Sequence, residues 1–306
     1  MNYIFIVNPH ARTGLGGMTW DLIEPELKKR RIAYSTYITE KSGHAEKIAR
    51  EITADGKEHT IVVLGGDGTV NEVLNGMKDP GKITLGYIPI GSSNDFARGL
   101  GIRKEPLEAL EVVLAGKKTV ELDVGVISRN GKKRKFAGSA GIGFDAGVCH
   151  QVCISRWKIL LNKLNLGKLS YAVVALDRLI KCRPAAMSVQ VDGGKEETFQ
   201  KVYFAAFMNL PCEGGGFRFC PKALPSDGKL DLLVAADVSK LKVLLLLPVA
   251  LLGRHTGFRG VTLRRGSRIR VRSEKPLPIH TDGEPLFLRR EAEAYTGEEK
   301  IRVITG

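Results

Sequence analysis

The chain is poor in the features that mark secreted, membrane-spanning and zinc-binding proteins. Its 306 residues include 5 Cys, none in a CxxC pair. An odd cysteine count without a leader fits a reducing compartment. Cys149-x3-Cys153 has no second pair nearby, so the two read as buried thiols, not zinc ligands. The apolar run Tyr3-Ile4-Phe5-Ile6-Val7 is too short for a signal peptide and lacks a basic lead, which sets the expectation of a cytoplasmic protein. The longest apolar run, Val243 to Leu252, is interrupted by Pro248 and falls short of the roughly 20 residues of a membrane span. Aromatics are only 7%. No helix-turn-helix, zinc-finger or aromatic RNA-binding pattern is visible, so no nucleic-acid partner is expected.

At 43% hydrophobic and 26% charged, the chain reads as globular and long enough for two domains. Its net charge of +14 is unevenly placed. Residues 1–125 carry 16 Lys+Arg against 17 Asp+Glu, whereas residues 126–306 carry 31 against 16. A basic excess confined to the second half points to an anionic partner there, such as a membrane surface.

The first half is organised around Leu64-Gly65-Gly66-Asp67-Gly68-Thr69-Val70-Asn71-Glu72-Val73-Leu74-Asn75-Gly76. An apolar strand, Thr60 to Leu64, stops at a glycine turn, and a helical pattern then runs to about Met77. Glycine lets a ligand approach the backbone, and the free N–H groups and dipole of a helix start attract anions. The outline is a phosphate cradle. A tight turn in which Asp67 or Thr69 merely caps the helix has the same signature.

Two further strand ends have the same character. Tyr3 to Val7 stops at Asn8-Pro9-His10-Ala11-Arg12-Thr13-Gly14, and a helix is expected from Met18 to Arg31. Ile83 to Ile90 stops at Gly91-Ser92-Ser93-Asn94-Asp95 before another helix, with Asn94 and Asp95 as good caps. A strand over Ala33 to Thr39 and helices over Gly43–Ala54 and Leu107–Leu114 complete an alternation of strand and helix. In such doubly wound sheets, ligands bind outside the carboxyl ends of the strands. A nucleotide site is the economical reading.

Asn8-Pro9, the Gly65-to-Gly76 element and Gly91-x-x-Asn94-Asp95-Phe96-Ala97-Arg98, in that order, resemble the diacylglycerol kinase catalytic domain family. That family includes bacterial soluble lipid kinases, sphingosine kinases and ceramide kinases. The Gly-Gly-Asp-Gly-Thr element alone is shared with NAD kinases. The third motif departs slightly, with Ser92 where the family often has Thr.

In the second half, short β-rich runs at Met187–Val191, Val202–Met208, Leu230–Ala235, Val261–Leu263 and Arg268–Arg272 suggest an antiparallel β-sandwich. Phe136 to Val148 resembles the family's glycine-containing strand at the entry to that domain. Residues 151–183 read as a basic amphipathic stretch, suited either to an anionic bilayer or to packing on a sheet. Period two places Arg268, Arg270 and Arg272 on one strand face, where like charges need water or phosphates. Residues 221–231 resemble the family's structural magnesium loop, which implies Asp227 and the carbonyls of Leu224 and Lys229 as ligands. An Asp-Gly turn without metal fits the same residues.

Ile279-His280-Thr281-Asp282-Gly283-Glu284-Pro285, if extended, turns His280, Asp282 and Glu284 to one face. Acidic groups beside a phosphate site can accept a hydroxyl proton or hold magnesium. The resemblance implies Asp282 and Glu284 as the catalytic pair and leaves open which of them abstracts the proton. Glu284 is assigned as acceptor, with Asp282 activating it or sharing the proton, and His280, outside the match, is given no role.

The expected fold is α/β plus β. It comprises an N-terminal doubly wound nucleotide-binding domain over 1–125, completed by 291–306, and a C-terminal antiparallel β-sandwich over 126–290, with the site in the cleft. The resemblance implies ATP and Mg2+ as cofactors. The nucleotide residues it implies are Asn8, Pro9, His10, Ala11, Arg12, Thr39, Gly65, Gly66, Asp67, Gly68, Thr69, Val70, Asn71, Glu72, Ser92, Asn94 and Asp95. The expected activity is phosphorylation of a lipid hydroxyl, first of all diacylglycerol to phosphatidic acid, at a peripheral membrane location. The rivals are a sphingoid base, ceramide, phosphatidylglycerol or NAD as acceptor, or a non-catalytic nucleotide- or anionic-surface-binding regulator. A homodimer is left open.

Overall fold

Apolar runs that stop at glycine become parallel strands, each handing over to a helix. The computed structural model describes residues 2–129, 132–154, 176–286 and 288–306. The first half contains β1 (Tyr3–Val7), α1 (Ala11–Lys29), β2 (Tyr34–Ile38), α2 (His44–Ile52), β3 (His59–Gly65), α3 (Asp67–Gly76), β4 (Ile83–Pro89), α4 (Asp95–Leu100), α5 (Pro106–Ala115) and β5 (Lys118–Arg129). The strand order is β2-β1-β3-β4, all parallel.

Alternate residues of each strand enter opposite cores, as the pleat requires. Ile6, Ile61, Val63 and Leu85 pack with Ala45, Ile48, Val70 and Val73 of α2 and α3. Phe5, Val7, Val62 and Leu64 pack with Trp20, Ile23, Leu27, Ala109 and Leu110 of α1 and α5. Both faces are thus covered. The chain switches sides between β1 and β3, which opens a crevice at their carboxyl ends.

The second half contains β6 (Lys132–Phe136), β7 (Ser139–Gly143), α6 (Phe144–Ile154), β8 (Ala185–Val191), β9 (Glu197–Met208), β10 (Leu230–Ala236), α7 (Lys240–Leu251), β11 (Val261–Gly266), β12 (Arg268–Leu277), β13 (Ile279–Thr281), β14 (Glu284–Pro285) and β15 (Arg289–Thr305). Its pairings are antiparallel and build the β-sandwich. β15 runs through both halves. Its start pairs with β12, and its end lies parallel to β4, with Arg302 opposite Thr84.

Four details differ from expectation. The first helical segment begins at Ala11, not Met18, and is broken by positive φ at Arg12, Thr13 and Gly14. Two non-glycine residues in that region store strain, a condition found at functional loops. The glycine-rich strand is only Ser139–Gly143, because a helix starts at Phe144. Arg268, Arg270 and Arg272 do share a face, but the register of β12 with β15 sets Glu293 and Glu291 against them. Their charge is therefore met within the sheet. Lastly, residues 279–285 are not extended throughout. Asp282 and Gly283 form the turn of a β13–β14 hairpin, both with positive φ, so His280 and Glu284 face different surroundings. Most of the basic amphipathic stretch, residues 155–175, lies outside the described residues.

Candidate active site

Loop 1 leaves β1 at Asn8, whose side chain joins the first two motifs. Its Nδ2 donates to Thr69 Oγ1 at 3.1 Å, and its Oδ1 accepts the His10 N–H at 3.1 Å. Thr69 lies in the first turn of α3, so the start of the cradle helix is tied to the end of β1. Pro9 accepts the Gly17 N–H through its carbonyl, which anchors α1.

The turns after β3 and β4 approach each other backbone to backbone. A Cβ on Gly66 would lie 3.2 Å from Gly91 Cα, and one on Gly65 would lie 2.6 Å from Thr69 Oγ1. Asp67 Oδ2 and Oδ1 accept the N–H groups of Asp95 and Phe96 at 3.0 and 3.2 Å. Asp67 therefore caps α4 and joins the second motif to the third. Burial, and then the charge of Asp95, push its carboxyl up to about 7. Asp95 in turn accepts the Gly215 N–H at 2.7 Å, which ties the first half to a loop of the second.

A cavity of about 460 Å³ lies where these loops meet. Asn8, His10, Ala11, Arg12, Thr39, Gly66, Gly68, Thr69 and Glu72 line it, as expected for nucleotide residues, and Glu284 closes one side. Pro9, Gly65, Asp67, Val70, Asn71, Ser92, Asn94 and Asp95 do not line it. Val70 is 2% exposed and belongs to the core, and Asn94 accepts a bond from Tyr87, so these two support the walls from behind. Glu72 binds the Ser42 hydroxyl and the N–H groups of Gly43 and Ala45, which caps α2. Sequence reasoning missed Lys41, Ser42, Ala45 and Gly91 on the wall. Lys41 was within reach, two residues beyond Thr39 at a strand end. Arg12 and Lys41 give the wall a cationic side.

Asp282 and Glu284 have different surroundings. Asp282 accepts four N–H donors: Asn71 Nδ2 at 2.8 Å, Ala137 at 2.9 Å, Gly138 at 2.8 Å and Ser139 at 3.0 Å. Both oxygens are engaged by structure. Glu284 stands on the cavity wall, close enough to Gly68 that a Cβ there would lie 2.6 Å from its Oε1.

Residues 2–127 match the model of the diacylglycerol kinase catalytic domain. Residues 138–289 match that of the YegS C-terminal NAD kinase beta sandwich-like domain. YtlR of Bacillus subtilis, named as a candidate lipid kinase, is 33% identical over 92% of this chain and 93% of its own. The chain belongs to the diacylglycerol kinase catalytic domain family. A diacylglycerol kinase of Bacillus subtilis is 31% identical over 82% of this chain and 78% of its own. A diacylglycerol kinase structure from Bacillus anthracis superposes with a TM-score of 0.73 over 100% of this chain and 97% of that one. At 22% identity, that likeness speaks to the fold. Family and relatives together support a lipid kinase.

The expected magnesium loop is a formed turn. Asp123 accepts the Gly228 N–H at 2.6 Å, and Lys300 donates to Ser226 O at 2.8 Å. Asp227 accepts the Lys229 N–H at 3.0 Å and pairs with Arg265. The exposed carboxylate suits a hard cation, and a guanidinium stands against it.

Proposed function

We propose that this member of the diacylglycerol kinase catalytic domain family is an ATP-dependent lipid kinase, with diacylglycerol as its first acceptor and phosphatidic acid as the product. The observation that carries this reading is the common cavity, which four strand-end loops and Glu284 line together. MgATP is the donor substrate. Its phosphates lie against Gly66, Gly68, Thr69 and the start of α3, with Arg12 and Lys41 alongside. Asp67, Asn71, Asn94 and Asp95 hold the loops in place.

In this reading Glu284 accepts the proton of the lipid hydroxyl as the oxygen attacks the γ-phosphorus. Asp282, committed to four donors, orients the turn that carries Glu284. A structural magnesium ion at Asp227 and the carbonyls of Leu224 and Lys229 would displace Arg265.

The membrane is the proposed partner, since the acceptor resides there. In support, α7 carries Leu241, Leu245 and its neighbour Leu252 at 65–66% exposure, beside Lys240 and Lys242. A helix that is apolar on its solvent side, with cations at one end, suits an anionic bilayer surface.

The test is incubation with labelled ATP, magnesium and mixed micelles of candidate lipids, with Glu284→Gln alongside. Label in phosphatidic acid, lost in the variant, is the expected result. Label in another lipid would replace the acceptor. No label in any lipid, with nucleotide binding intact, would favour a regulator on the same scaffold.

A further inference from the structure

His280 lies two residues before Asp282 and is fully buried. Its Nε2 is 3.2 Å from Asp145 Oδ2, at the start of α6, and 3.0 Å from Glu213 Oε1, in the loop after β9. Both carboxylates are themselves buried. The cluster is packed directly on backbone. A Cβ on Gly141 would lie 1.9 Å from Asp145 Oδ2 and 2.5 Å from His280 Nε2, so only glycine fits beneath it.

One imidazole and two carboxylates within 4.8 Å of one another have the composition of a metal site. The other ring nitrogen argues against that use. His280 Nδ1 accepts the Gly283 N–H at 3.2 Å. A nitrogen that accepts an amide proton carries none of its own, so the ring proton sits on Nε2 and points at the carboxylates. A metal on Nε2 would leave this ring with no proton at all, whereas a ligating histidine keeps its other ring N–H as a donor.

The Gly283 N–H belongs to the turn between Asp282 and Glu284. That turn is left-handed at both central residues, with φ of 47° and 81°. Its Asp282 side is fixed by the Asp282 N–H to the Ser139 carbonyl at 2.8 Å. Its Glu284 side is fixed by the bond to His280.

We propose that His280 is a positioning residue: through Nδ1 it holds the Gly283 amide, and through Nε2–H it is itself aimed by Asp145 and Glu213, so that this buried array sets the direction of the Glu284 carboxylate. The proposal rests on the reading of Glu284 as proton acceptor. Burial opposes charge on the ring, and Glu213 and Asp145 favour it. Burial also raises the proton affinity of Asp145, so a further proton in this cluster has the Asp145 carboxylate as an alternative to Nδ1. A second proton, on Nδ1, would meet the Gly283 N–H head-on.

The first test needs no activity. In the full chain labelled with 15N-histidine, the His280 signals, identified by their loss in His280→Asn, should report a neutral ring protonated at Nε2 near neutral pH. A proton on Nδ1, alone or as imidazolium, would overturn the proposal.

The second test compares two substitutions. In His280→Asn the amide oxygen can take the place of Nδ1 and keep an acceptor for Gly283. In His280→Gln the amide reaches the place of Nε2, keeps the carboxylate contact and loses that acceptor. With lipid and ATP, kcat should fall less than about tenfold in His280→Asn and about 100-fold in His280→Gln, the scale of a misplaced catalytic group, with KM for ATP unchanged. The reverse order, or equal losses that track a fall in Tm, would reject positioning through Gly283. A wild-type protein inactive on every lipid would count against the kinase reading, while the ring protonation would still be decided.

Discussion

Asn71 on the cradle helix donates to Asp282 across 211 residues of sequence, at 2.8 Å. This bond joins the nucleotide-side helix to the hairpin that carries Glu284. The same Asp282 oxygen also accepts the Ala137 N–H. One carboxylate thus gathers α3, the strand β7 entry and the β13–β14 turn.

The two acids of the Asp-Gly-Glu element should therefore fail differently. Asp282→Asn turns an amide NH2 toward backbone N–H donors. Each donor left unsatisfied costs about 1–3 kcal/mol, so Tm and activity should both fall. Glu284→Gln should keep Tm and lower kcat by about 10²–10⁴-fold, as expected for loss of a general base. Thermal unfolding run beside steady-state kinetics separates the two. Equal Tm losses would deny the division of labour.

Glycine substitutions should distinguish the nucleotide side from the acceptor side. A Cβ on Gly66 meets the Gly91 backbone at 3.2 Å, which yields little, so Gly66→Ala should spread two loops and raise KM for ATP. A Cβ on Gly68 meets the movable end of Glu284, so Gly68→Ala should lower kcat more than Gly66→Ala does and raise KM for ATP less, because a side chain and not backbone must give way. A Gly68→Ala enzyme that lost nucleotide binding and kept kcat would contradict this.

The sequence made the strand–glycine–helix units legible because the signals are local. An apolar run such as Thr60–Leu64 ends at a residue with no Cβ, and helical periodicity starts beyond it. Those signals sufficed to bring Asn8, Gly66 and Thr69 to one cavity. Partnerships across long separations were not legible. Glu72 read as a nucleotide residue and does line the cavity, but its capping of α2 through Ser42, Gly43 and Ala45 was not legible. The three arginines of β12 read as a bare cationic face because Glu291 and Glu293 come from another strand. His280 had no visible role because Asp145 lies 135 residues away and the Asp-Gly turn breaks the period of two.

Asp67 makes stability depend on pH. Its folded carboxyl titrates near 7, above the ordinary value of 3.8, mainly through burial and secondarily through Asp95. The folded state therefore holds a proton that the unfolded chain has released. Stability should fall as pH rises from about 4 to about 7 and level off above that. Asp95 and Asp145 are raised in the same direction, so Asp67→Asn should reduce this slope without removing it. Denaturant midpoints measured across that range test the sign. An unchanged slope in the variant would show that Asp67 ionises normally.

The loop around Asp227 should report a competition. Arg265 pairs with the carboxylate that magnesium would use. Removing the guanidinium with Arg265→Ala should then strengthen the rise in Tm caused by magnesium, and Asp227→Ala should abolish it. Binding to the folded state alone raises stability with ion concentration, so a titration gives the affinity. A magnesium effect that survives Asp227→Ala would move the ion elsewhere.

Membrane contact should depend on the leucines of α7 more than on the arginines of β12. Leu241 and Leu245 are 66% and 65% exposed, and burying a leucine contributes about 1.5–3 kcal/mol. Replacing both with glutamate should weaken sedimentation with anionic vesicles by more than tenfold, since about 1.4 kcal/mol corresponds to that factor. It should also lower turnover on vesicle-borne lipid more than on a short-chain soluble acceptor, because the cleft itself is untouched. Arg268, Arg270 and Arg272 already face Glu293 and Glu291, so replacing them with glutamine should change vesicle binding little. If the arginine variants lost binding and the leucine variants kept it, the contact would be electrostatic and would lie on the sandwich, leaving α7 without a role at the bilayer.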